Sequence, residues 1–218
     1  MSSAAKMSGH GMIDFYFDFI SPFSYLAYQR LPQLAARYGY ALGYHVADLA
    51  TLKRLCGNTA PRMVEMPLKL EYSRIDQQRW AARYGVPIKP PLGSHDSSWL
   101  NRGTFYAAEK GNVAEYVTAV WTHMRRDGRD LAEESTWREV AADLGWNGEE
   151  FAAAVRSPES LARYRQASQD AHDRGVFGVP TMLIGKEMWW GNDRLDFLEE
   201  YLKANALPGA AARTSALG

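Results

Sequence analysis

The stretch Phe15-Tyr16-Phe17-Asp18-Phe19-Ile20-Ser21-Pro22-Phe23-Ser24-Tyr25 runs from a strand into a helix, and the turn between them carries Ser21 and Ser24 at the spacing of the cysteines in C-x-x-C. A C-x-x-C at such a turn opens and closes a disulfide, which requires two thiols. This chain has one cysteine, Cys56, far from the turn, so exchange by a paired site is excluded by counting. What remains is a hydroxyl, expected to be exposed, at the start of a helix whose unpaired N–H groups and dipole favour negative charge. A turn suited to an anion and without a thiol of its own points to a thiol borrowed from a small molecule, of which glutathione is the obvious example.

Composition narrows the remaining classes. The chain has 218 residues, 46% of them hydrophobic, enough for one sizeable core. Its 25 Lys and Arg balance 25 Asp and Glu, so the charge excess expected of a nucleic-acid or membrane-surface binder is missing. A single cysteine excludes a disulfide framework and fits a reducing compartment. Residues 1–11 lack an apolar run and read as a disordered extension with no secretory signal, and no later stretch approaches the ~18 apolar residues of a spanning helix. A cytoplasmic protein is expected. His45, His95, His123 and His172 show no ligand spacing with one another or with Cys56, so no metal is expected.

Along the chain the pattern is βα, then helices, then ββα. Met12 to Phe19 is dense in aromatic and β-branched residues and reads as a buried strand with a polar position at Asp14. One helix, bent near Pro32, is predicted from Ser24 to Arg37, and a second strand from Tyr40 to Val46. Helical segments follow at Met66 to Tyr84, Trp99 to Lys110, Val113 to Arg126, Ser135 to Leu144, Glu149 to Val155 and Pro158 to Arg174. Strands return at Thr181 to Ile184 and Glu187 to Trp190, and a last helix runs from Asp193 to Ala204. The economical architecture is α/β, a thioredoxin-like core interrupted by an all-helical insertion domain. The core comprises 12–50 and 175–205, the insertion 51–174, and 206–218 form a flexible tail.

Two further stretches carry chemistry. In Val179-Pro180, just before a strand, a proline is natural as a cis residue in the entering turn, and a trans proline starting the strand is the plain alternative. A cis proline there would leave the backbone of Val179 free to pair with an extended peptide such as glutathione. In Trp190-Gly191-Asn192-Asp193-Arg194, a strand end leads into a helix, and Asn192 or Asp193 is expected to cap it. The same backbone can receive a carboxylate, with Asp193 as counter-charge for an ammonium.

These stretches, together with Gly57-Asn58, Asp76-Gln77-Gln78-Arg79-Trp80-Ala81 and Tyr84-Gly85-Val86-Pro87, resemble the 2-hydroxychromene-2-carboxylate isomerases, relatives of the kappa-class glutathione transferases. The resemblance runs in one order from Ile13 to Leu202. It implies a glutathione-dependent enzyme of bacterial naphthalene catabolism, acting on a small aromatic oxo-acid and assembled as a homodimer. It also implies that Ser21 is catalytic and contacts the glutathione sulfur, and that Val179, Pro180, Trp190, Gly191, Asn192 and Asp193 hold the tripeptide. Lys53 would meet the substrate carboxylate, and Asn58 either binds substrate or caps a turn. The chain departs from the family where polar substrate contacts are expected, reading Arg62-Met63-Val64 and Gly93-Ser94-His95. A transferase that consumes glutathione, and a binding module without turnover, are the competing classes. Asp18, next to the turn, is either a buried carboxylate that tunes the site or a turn residue bonded to backbone.

Overall fold

A computed structural model of the chain describes residues 11–90, 92–93 and 96–207. The N-terminal extension before Gly11, the tail from residue 208 and Ser94-His95 lie outside the described residues. Strand β1 (Met12–Phe17) is followed by helices α1 (Pro22–Tyr28) and α2 (Leu31–Arg37) and by strand β2 (Ala41–Val46). β2 pairs with β1 in parallel, Met12 opposite Ala41 and Phe17 opposite Val46, as the two-helix crossover requires. Seven helices come next: α3 (Leu49–Leu55), α4 (Pro67–Tyr84), α5 (Ser98–Lys110), α6 (Val113–Trp121), α7 (Glu134–Asp143), α8 (Gly148–Arg156) and α9 (Pro158–Asp173). β3 (Thr181–Ile184) and β4 (Glu187–Trp190) then complete an antiparallel hairpin, and α10 (Leu195–Ala204) closes the chain. The sheet order is β2-β1-β3-β4, with β3 antiparallel to β1. This is the α/β thioredoxin-like core with its helical insertion between β2 and β3.

Three elements differ from their sequence expectation. The single bent helix from Ser24 is two helices. The first starts earlier, with Ser21 as N-cap and Pro22 in its first turn, and the second has Pro32 in its own first turn, where a missing N–H breaks no ladder. The helix expected to run unbroken from Val113 to Arg126 changes at Thr122 into a π-helical turn, Thr122–Asp127. The last helix begins at Leu195 after a 3-10 turn, Asn192–Arg194.

β1 is buried on both faces, which is why its sequence is apolar at nearly every position. Ile13, Phe15 and Phe17, with Phe19 beyond the strand, pack into the main core. Tyr16, on the opposite face, joins Leu52, Ala171, Val176, Val179 and Leu183 in a second cluster. Trp121 of α6 sits at the centre of the main core, its ring centroid 5.3 Å from Phe17, 5.2 Å from Phe19 and 4.9 Å from Tyr28. Among the described residues no helix is long and apolar enough to cross a membrane.

Candidate active site

At the end of β1 the chain turns through Asp18-Phe19-Ile20 into α1, and buried hydrogen bonds fix that turn. Asp18 Oδ1 accepts from Ile20 N (3.1 Å), Ser97 Oγ (2.6 Å) and Asn101 Nδ2 (2.8 Å), and its Oδ2 accepts from Leu49 N (3.1 Å). Asn101 also receives the Phe19 N–H on its Oδ1 (3.1 Å) and donates to Tyr164 Oη (2.8 Å). Asp18 is thus both the buried carboxylate and the backbone-bonded turn residue. Burial pushes its carboxyl above the ordinary value in spite of the hydrogen bonds from Ser97, Asn101, Leu49 and Ile20.

Arg125, carried by the π-helical turn, approaches the turn from the other side. It is 2% exposed, donates from Nη2 to the Ile20 carbonyl (2.7 Å) and reaches the Lys89 carbonyl from Nη1 at 3.5 Å. Burial lowers its pKa to about 10, partly offset by Tyr25, so it remains a cation at neutral pH. Tyr25 donates to the Pro87 carbonyl (2.6 Å) and ties α1 to the segment after α4.

Ser21 follows this turn. Its N–H donates to the Asp18 carbonyl (3.0 Å), and its Oγ accepts from Ser24 N (3.2 Å) as the N-cap of α1. The hydroxyl expected to be exposed is instead buried, with Ser21 only 4% accessible, because the same oxygen serves the cap. Its own proton has no acceptor among the described residues.

The other two stretches flank it. The Val179-Pro180 bond is cis. Tyr16 pairs with Thr181, so Pro180 stands one step further along the register, beside the end of β1. Neither the N–H nor the carbonyl of Val179 has a partner among the described residues, while the Pro180 carbonyl accepts from Gly191 N (2.9 Å). That bond brings Trp190 to Asp193 against the cis proline. Gly191 has φ 109°, and a Cβ there would lie 2.5 Å from Asp193 Oδ1. Asn192 does not cap α10 as expected: the 3-10 turn swings it inward, 2% exposed, where its Oδ1 accepts from Tyr84 Oη (3.2 Å) and its Nδ2 is buried without a partner. Asp193 does not cap either. It is exposed and forms a 3.3 Å ion pair with Arg194.

Ser21, Val179, Pro180 and the stretch from Trp190 to Asp193 therefore meet at one end of the sheet. Lys53 and Asn58 stand off to one side, on α3 and just after it. Asn58 N donates to the Lys53 carbonyl (2.8 Å), and Asn58 Oδ1 accepts from Ala60 N (2.9 Å), so its carbonyl side caps a turn. Their link to the site is through Leu49 N on Asp18 at the start of α3, and through Cys56 Sγ, 3.9 Å from the Phe177 carbonyl. Phe177 packs edge-on to Trp190, with centroids 4.9 Å apart, and both rings are largely exposed. Sequence reading missed Ser97, Asn101, Tyr164 and Arg125. Their only signal is polarity inside otherwise buried helical stretches.

The fold and this site define a thioredoxin-fold protein without redox cysteines, and the family description "DSBA-like thioredoxin domain" matches residues 12–203. The 2-hydroxychromene-2-carboxylate isomerase of Pseudomonas putida is 43% identical over 188 residues, covering 86% of this chain and 92% of that protein. A solved structure of a 2-hydroxychromene-2-carboxylate isomerase superposes with a TM-score of 0.84 at 39% identity, covering 95% of this chain and 99% of the other. Glutathione S-transferase kappa 1 of Caenorhabditis elegans is a more distant relative, 22% identical over 217 residues, 88% of this chain and 90% of its own. The chain belongs to the 2-hydroxychromene-2-carboxylate isomerase family and is an isomerase.

Proposed function

We propose that the protein is a glutathione-dependent cis–trans isomerase that converts 2-hydroxychromene-2-carboxylate to trans-o-hydroxybenzylidenepyruvate in naphthalene catabolism, acting as a cytoplasmic homodimer. The observation that carries the reading is the free proton of the buried Ser21 hydroxyl in the turn after β1, at the strand end that Pro180 and the unpaired backbone of Val179 also approach, in a fold whose paired thiols are absent. A tripeptide thiol fits such a cradle: Val179 offers a strand-like N–H and carbonyl, and the unpartnered Asn192 Nδ2 offers a buried donor.

Glutathione, if held by Val179 and Pro180 with its sulfur at Ser21, would supply a thiol nucleophile capable of reversible addition to a conjugated double bond, the chemistry that permits cis–trans rotation without consuming the thiol. The residues of the chain prepare this. The Ser21 hydroxyl donates to the anionic sulfur and favours the ionised form without turning it into a poor nucleophile. The same oxygen stays fixed by Ser24 N, so the donor is oriented before reaction. Val179 and Pro180 bind the tripeptide backbone, Trp190 and Gly191 line it, and Asp193 exchanges Arg194 for the ligand's ammonium at small cost, because an exposed ion pair contributes little. Lys53 receives the substrate carboxylate, and the Asn58 amide, whose carbonyl side is taken by Ala60, is left to donate.

The test is to mix glutathione-free protein with 2-hydroxychromene-2-carboxylate and follow the ultraviolet spectrum with and without a catalytic amount of glutathione. Approach to equilibrium only with glutathione, at constant total thiol, is expected. Loss of thiol in step with substrate would instead make the protein a conjugating transferase of the kappa kind. Size-exclusion chromatography with light scattering checks the dimer.

A further inference from the structure

We propose that Arg125 is a positioning residue for the bound thiol, a buried cation that fixes the turn before Ser21 and keeps the sulfur ionised; the inference rests on the glutathione reading above. Four observations carry it. The guanidinium is almost wholly buried, and among the described residues no carboxylate lies within ion-pair distance. Its shortest contact is the carbonyl of Ile20, the residue immediately before Ser21. Its Nε is buried with no hydrogen-bond partner, so the two backbone carbonyls it meets leave part of the buried cation unsatisfied. It is delivered by a π-helical turn, a rare conformation that interrupts α6 and turns both Met124 and Arg125 into the interior.

A buried charge without a counter-ion is unfavourable for the fold. An anion arriving at Ser21 would supply the missing counter-charge across one peptide unit, and the cation would in turn hold the anion ionised. The other groups that bear on this field are few. Tyr25 of α1 faces Arg125 and Arg126, and burial holds its phenol above the ordinary value, so it is neutral. Lys89 presents its carbonyl. Asp18 lies across the Phe19-Ile20 turn and accepts from four donors, and burial pushes its carboxyl towards the neutral form, which weakens its opposition to the cation. Asp193 and Arg194 neutralise each other at the surface.

The experiment measures the thiol pKa of glutathione bound to the protein, from thiolate absorbance against pH without substrate, in the wild type, Arg125→Gln and Arg125→Lys. Gln keeps an amide donor for the Ile20 carbonyl and removes the charge, and Lys keeps the charge. We expect Arg125→Gln to raise the bound thiol pKa by about one unit or more and Arg125→Lys to leave it near the wild-type value. The rate of Arg125→Gln should recover as pH rises. An Arg125→Gln variant with the wild-type thiol pKa overturns the proposal. An Arg125→Lys variant whose thiol pKa rises by a full unit also does so, and that arm stands even where Gln does not fold. Failure of the wild type to bind glutathione would instead sink the glutathione reading itself, and circular dichroism on each variant separates misfolding from either outcome.

Discussion

Ser21 does two jobs with one oxygen, and they can be separated. As N-cap it accepts from Ser24 N, a contribution of about 1 kcal/mol, and under the proposed function it would also donate to the glutathione sulfur. Ser21→Ala is therefore expected to lower the urea unfolding free energy by about 1 kcal/mol and turnover by roughly tenfold or more, since one oriented donor to a developing anion is lost. A rate unchanged within error would remove Ser21 from the chemistry. Asp193 makes no cap and no buried contact, so Asp193→Ala should leave stability unaltered while raising the glutathione concentration needed for half-maximal rate several-fold. Glutathione dependence identical to wild type would argue that Arg194, not an ammonium, is the only partner of Asp193. The position of these two residues at turns was legible in the sequence because each sits in a contiguous motif, while the burial of Ser21 and the missing cap at Asp193 were not. Nor was the polar shell behind them. Asn101 and Arg125 lie 83 and 105 positions from the residues they hold, and nothing local announces which loop a buried amide or guanidinium will meet.

At the scale of elements, the turn between β1 and α1 is held from α5 and α9 by Asn101 and Tyr164 and from α3 by Leu49. Asn101→Ala leaves Phe19 N without an acceptor and the buried Tyr164 hydroxyl without its partner, while Asp18 keeps its other three donors. A loss of about 3 kcal/mol in urea denaturation is expected, since a buried polar group without a partner costs about 1–3 kcal/mol and two are created. A loss below half that would mean water replaces the amide. On the other face of β1, burial alone would raise the Asp14 carboxyl, but Arg174 and His45 outweigh it and the net shift is downward. A carboxyl lowered on folding stabilises the fold above its unfolded pKa, near the ordinary value of 3.8, and that contribution is lost as pH falls through the folded value. The wild-type urea midpoint should thus fall more steeply below about pH 4 than that of Asp14→Asn, and parallel curves would refute the linkage. Strands β3 and β4 matched their sequence reading because Gly185-Lys186 fixes the hairpin between two short apolar runs. The π-helical turn did not, because Val113 to Arg126 keeps helical periodicity and the widening follows from where Trp121 and Arg125 must reach.

For the whole molecule, the sequence divides into a thioredoxin-like core and a helical insertion, yet the hydrophobic core does not respect that division. Trp121 from α6 is packed among Phe15, Phe17, Phe19, Tyr25 and Tyr28 of the sheet and first helix. Tyr116, five residues earlier on α6, stacks on Trp146 and meets Phe151, which carries the same cluster outward into α8. An aromatic core continuous across both parts couples their unfolding, because neither can open without exposing rings of the other. We therefore expect one urea transition, coincident by tryptophan fluorescence and far-ultraviolet circular dichroism, and expect bound glutathione to shift that single midpoint upward. Trp121→Ala should lower stability by about 3–5 kcal/mol, the cost of emptying a large buried ring site, while keeping one transition. Two resolved transitions in the wild type, with only the later one responding to glutathione, would instead make the insertion an independent unit. The site would then have to be built by the sheet and α1 alone. Asn101, Tyr164 and Arg125 argue against that outcome: all three belong to the helical part, and all three end on the few residues that precede Ser21 or on each other.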